Sequence, residues 1–193
     1  MDRTKTMPLA SSHQRLYRMV LAGLLCAIGI LIPMVMPKIV IGPVSMTLAS
    51  HVPVFIGMLI SPAVAIAVCL GTTVGFFLTT NPLIALRALS HIVFATLGAR
   101  YLVKHPQVIE KPVSSTLFNA VLALCHALCE VISVTPFFLM GTQFKAEQLS
   151  NGFFQAVVLM IGVVAFFHSM IDYAISIAIW KPLSRVVRAA ERT

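Results

Sequence analysis

MTLASHVPVFIGMLISPAVAIAVCLGTTVGFFLTT, residues 46–80, runs for 35 positions without an Asp, Glu, Lys or Arg. A helix rising about 1.5 Å per residue needs roughly 20 apolar residues to cross a bilayer. The stretch is too long for one span and just long enough for two. Ser61-Pro62 is the natural break, because the residue before a proline is pushed out of helical geometry. Two spans follow, 46–60 and 62–80.

The same reading gives a first span over 16–32, stopping at Pro33, and further spans over 83–103, 114–140 and 153–180. Asn81-Pro82 leaves only a tight turn between the third and fourth. The expected fold class is therefore all-α: a polytopic membrane protein with six transmembrane helices in one bundle, a single membrane domain over residues 1–193. Composition agrees, with 59% hydrophobic and 10% charged residues and a mean hydropathy of +0.95. Soluble domains carry about a quarter charged residues.

Basic residues orient the bundle. Arg3, Lys5, Arg15 and Arg18 precede the first span, Arg100, Lys104 and Lys111 follow the fourth, and Lys181, Arg185, Arg188 and Arg192 follow the sixth. The other connections hold Lys38 and Lys145. With six spans the rich regions share one side, so the positive-inside rule puts both termini in the cytoplasm. The net charge of +8 is then topological anchoring and contact with anionic lipid, and no nucleic-acid partner is expected. The first segment is too long for a signal-peptide core and lacks a cleavage site. Cys26, Cys69, Cys125 and Cys129 all fall within spans and act as small apolar residues, not as a disulfide framework.

Orientation gives the polar residues a depth. Arg87 and His91 lie one turn apart in the outer half of the fourth span; Thr47, Ser50 and His51 open the second. Asn119, His126, Glu130 and Ser133 share one face of the fifth. An ionisable group there costs a few kcal/mol or more unless paired or wet. Two readings of Arg87 stay open: an ion pair with Glu130, or a cationic anchor for an anionic ligand at the floor of an outward-facing cavity. They are compatible if the ligand joins an existing pair, and a guanidinium suits a carboxylate. The candidate binding residues are Arg87, His91, His51, Ser50, Thr47, Glu130, His126 and Thr73, with Phe55, Phe76 and Phe94 as apolar walls.

Other constellations carry less. In CHALCE, Cys125–Glu130, the cysteines are offset from His126 and Glu130 by about 100° around the helix, so no metal site is expected there, and no cofactor. His168 and Asp172, near or below mid-membrane, read as a local hydrogen-bonded pair. Gly71 and Gly75 in GTTVG have close-packing spacing, and Gly23 and Ala27 repeat it in the first span. The apolar connection MVMPKIVIGPVSMT, residues 34–47, is expected to fold over the outer mouth as a lid. No P-loop, nucleophile elbow or zincin signature occurs, so no enzyme activity is expected. A binding bundle without its own energy source borrows one from a partner, unless it works alone as a proton-coupled carrier through Glu130 or Asp172.

Three segments, MTLASHVPVFIGMLISP (46–62), LGTTVGFFL (70–78) and RALSHIVFATLGA (87–99), resemble substrate-binding S-components of energy-coupling factor (ECF) transporters, bacterial plasma-membrane vitamin importers. The similarity runs from about Leu16 to Trp180 and is strongest to the pantothenate and niacin branch. The resemblance implies a six-helix bundle with a vitamin pocket capped by the first loop, and partners comprising a membrane coupling subunit and two cytoplasmic ATPases. S-components dock through an A-x-x-x-A patch on the first helix; here Gly23 and Ala27 stand at the matching place, with Gly29 close by. Both vitamins carry a carboxylate for Arg87. The polar stripe of the fifth helix favours pantothenate, with niacin the alternative.

Overall fold

Three of the long helices begin where the chain puts a proline after a polar residue, at Ser61-Pro62, Asn81-Pro82 and Lys111-Pro112. Proline lacks an N–H and belongs in a first helical turn. The computed structural model describes residues 12–41 and 44–190. Its elements are α1 (Ser12–Val35), β1 (Ile39–Ile41), β2 (Val44–Met46), α2 (Val52–Ile60), α3 (Pro62–Thr79), α4 (Pro82–Lys104), α5 (Pro112–Leu139), α6 (Ala146–Ser150) and α7 (Val163–Ala190). A short 3₁₀ turn, Pro106–Ile109, precedes α5, and a π-helical stretch, Phe154–Gly162, runs into α7. Ser61 Oγ accepts from the Val64 N–H at 3.2 Å and Asn81 Oδ1 from the Ile84 N–H at 3.0 Å, capping α3 and α4. Arg3, Lys5, Gly42-Pro43 and Arg192 lie outside the described residues.

Among the described residues, five helices are long and apolar enough to cross a membrane: α1, α3, α4, α5 and the continuous 154–187 segment. The expected span 46–60 is corrected. Its helix starts at Val52, because Val44–Met46 pairs with Ile39–Ile41 in an antiparallel hairpin (Ile39 opposite Met46) and residues 47–51 turn. Pro53 in the first turn marks that start. The nine residues of α2 rise only about 14 Å, half of a hydrocarbon core of about 30 Å. Two other bounds shift: α1 carries Pro33 in its last turn and continues to Val35, and α7 passes Pro182 to Ala190.

The short helix sits at the centre. Every residue from Val52 to Met58 is buried, as a helix apolar on all sides requires. Around it α1 lies against α3, where a Cβ on Gly71 would meet Cys26 and one on Gly75 would meet Ile30. Glycine there lets two backbones approach closely. The outer faces stay apolar, as in the exposed stripe Leu117, Val121, Leu124, Leu128 and Ile132 of α5. Such a stripe suits contact with acyl chains. The four cysteines are free.

Candidate functional site

A single carboxylate organises the turn between β2 and α2. Asp172 of α7 is fully buried. Its Oδ1 accepts from the Ala49 N–H at 2.8 Å and its Oδ2 from the His51 N–H at 2.9 Å. His51 Nδ1 lies 3.1 Å and His168 Nε2 3.2 Å from the same Oδ2. Ala49 adopts the left-handed region, φ 68°, which costs a non-glycine residue roughly 1–2 kcal/mol. The carboxylate holds it there. His168 Nε2 also donates to the Thr47 carbonyl at 3.0 Å. The expected local His168–Asp172 pair is present; what changes is its place, since it reaches across to the turn before α2 and stands at the level of His51.

The second carboxylate belongs to α5. Glu130, 2% exposed, receives Arg87 in bidentate fashion, Nε to Oε1 at 3.1 Å and Nη2 to Oε2 at 2.8 Å. The Arg87 side chain is 17% exposed and also borders a cavity of about 550 Å³. Both open readings of Arg87 thus keep their basis: a buried pair on one side, an accessible guanidinium on the other. Nη1 makes no bond to Glu130.

Thr47, Ser50, His51, Arg87, His91 and Glu130 line that one cavity, as the sequence placed them together. His126 does not; fully buried, it stands behind, its ring 4.7 Å from that of His51 and 4.9 Å from that of His91. Thr73 is corrected: its hydroxyl turns back to the Cys69 carbonyl at 2.7 Å, and its neighbour Thr72 borders the cavity instead. A one-residue error in helical phase is about 100°. Phe76 is a wall as expected, whereas Phe55 and Phe94 are buried beneath, with the Phe94 ring centroid 5.0 Å from that of His126 and the planes tilted by 49°. Lys38, Ser45 and Met46 of the hairpin region form the rim. Sequence reasoning missed Thr72 and His168 as lining residues. The four-residue spacing of His168 and Asp172 signalled one inward face, but nothing local told which helix it would meet. Cys125 and Cys129 are half-buried, apart from the histidines.

No protein-family model matches the chain, and no solved structure does. The Niacin transporter NiaX of Lactococcus lactis subsp. cremoris (strain MG1363) is 37% identical over 183 residues, covering 94% of this chain and 81% of that protein. Identity of that extent, over a chain with five membrane-length apolar helices, carries the ECF resemblance from short segments to nearly the whole chain. This protein belongs to the S-components of energy-coupling factor transporters, multi-pass cell-membrane proteins that bind a vitamin and work with a partner ECF module.

Proposed function

We propose that the chain captures niacin from outside the cell and delivers it through an ATP-driven ECF complex. The observation that carries this reading is the cavity-facing guanidinium of Arg87, whose Nη1 is not engaged by Glu130. A carboxylate arriving there meets a preorganised fork already aligned by its buried partner. The volume of about 550 Å³ admits either vitamin, so the choice rests on the similarity to a niacin transporter. Niacin replaces the pantothenate expected from the polar face of α5, much of which is already committed: Asn119 donates to the Met170 carbonyl and Ser133 to that of Cys129.

The topology that goes with this function has six membrane segments and cytoplasmic termini. α2 contributes a half-length segment that begins below the hairpin, and the cavity walls come from the last turns of α1 and α3 and the first turns of α4. Positive-inside orientation turns that end outward. The partners proposed are a membrane coupling subunit and two cytoplasmic ATPases. Gly23 and Ala27 are exposed on α1 beside Val20, Leu24 and Ile28, and a Cβ on Gly23 would meet nothing within 4 Å. This flat strip suits a helix of the coupling subunit.

Calorimetric titration of the purified chain tests the substrate. Nicotinate should bind and pantothenate should not; saturation by pantothenate alone would overturn the assignment. Ala27→Trp tests the docking face. Nicotinate binding by the isolated variant should match wild type, while ATP-driven uptake by the reconstituted complex falls to background. Undiminished uptake would remove this face from the interface.

A further inference from the structure

Capture through Arg87 leaves three buried imidazoles unexplained. His51 from the start of α2, His91 from α4 and His126 from α5 converge with Glu130, and one ligand-type atom from each lies within 4.8 Å of the others. All four side chains are buried. His91 Nε2 and both ring nitrogens of His126 have no hydrogen-bond partner. A polar nitrogen sealed from water and left unpaired costs about 1–3 kcal/mol, and one missing atom would satisfy His91 Nε2 and one of the two His126 nitrogens.

The spacing says what kind. His126 Nε2 and His91 Nε2 both face Glu130 Oε1, at 3.5 and 3.8 Å. These separations are too long for good hydrogen bonds. They lie near the tetrahedral edge of about 3.4 Å that follows from metal bonds of about 2.0–2.1 Å. We infer that His51, His91, His126 and Glu130 form a binding site for a divalent late first-row transition metal, with zinc the best match to three imidazoles and one carboxylate.

The surroundings support the assignment. His51 presents Nδ1 to Asp172 at 3.1 Å, which orients the ring and leaves Nε2 for the ion; a carboxylate behind a ligating histidine is the usual outer-shell partner. The floor sets Arg87 against two buried carboxylates, Glu130 and Asp172, while Lys38 sits on the exposed rim. A divalent cation offsets the one negative charge that the single guanidinium leaves over, with one positive charge in excess. Each Glu130 oxygen retains a lone pair after accepting from Arg87. His51, His91 and Glu130 border the cavity, which gives the ion a path inward from water.

The test uses the detergent-purified chain without a polyhistidine tag, stripped with chelator and titrated with Co²⁺ as a spectroscopic probe, then with Zn²⁺ in competition. One Co²⁺ per chain with the visible bands of a tetrahedral ion, displaced by Zn²⁺, is the expected result. His91→Gln and His126→Gln should each weaken it by more than the roughly 10- to 100-fold that losing an outer-shell partner costs. No uptake by the wild type, octahedral bands only, or uptake unchanged in both variants would overturn the site. The wild-type titration stands even if a variant does not fold. Metal binding is read without vitamin, so a failed niacin assignment and a failed metal site remain distinguishable.

Discussion

Arg87→Ala is expected to abolish nicotinate binding and to destabilise the protein at the same time. The two losses have different origins. Removing the guanidinium leaves Glu130, 2% exposed, as an unpaired buried carboxylate, and breaking a buried pair from one side costs about 3–5 kcal/mol. Loss of vitamin binding comes instead from the donors that face the cavity. A double replacement separates them: Arg87→Met with Glu130→Gln removes both charges, and neutral pairs of similar volume are often tolerated. Its melting temperature should return most of the way to wild type while calorimetry still detects no nicotinate. If the double variant binds nicotinate as the wild type does, Arg87 is a structural cation and the vitamin's carboxylate is held elsewhere.

Asp172→Ala should have a comparable effect through a different route. The substitution strips partners from two backbone N–H groups, Ala49 and His51, and from the rings of His51 and His168. Hydrogen bonds to a charged group are worth about 1.5–3 kcal/mol each, and the left-handed backbone at Ala49 loses what holds it. A destabilisation of at least about 3 kcal/mol follows from those contributions. Hydrogen exchange read by mass spectrometry should speed up across residues 47–52 before the rest of the bundle. Asp172→Asn, which keeps one carbonyl acceptor, should fall between. Exchange in that turn no faster than in wild type would mean that packing of α2, not the carboxylate, holds it.

Much of the fold was legible because membrane solvation acts on local composition. Apolar length and the breaks at Ser61-Pro62 and Asn81-Pro82 mark helix starts that the structure reproduces within a few residues. The second span was misjudged because hydropathy does not separate an apolar strand from an apolar helix. Val40, Ile41 and Val44 suit a hairpin, and Pro53 was the local sign that no helix ran through residues 46–51. For the site, the sequence gathered Arg87, His91, His51 and Glu130 by depth and face. It left Thr72 one residue out of phase and His168 and Asp172 at the wrong level.

What the sequence by itself determined is the solvent, the helices and which face of each carries polar groups, since these depend on residues within one or two turns. Only the tertiary structure decided that α2 is a half-length central helix, that Asp172 reaches it from α7, and that four buried side chains meet within 4.8 Å. Those outcomes turn on contacts such as His51–Asp172, between residues 121 positions apart. No local periodicity encodes them. They emerge when a helix apolar on all sides must be surrounded, and the surrounding helices must satisfy one another's buried polar groups.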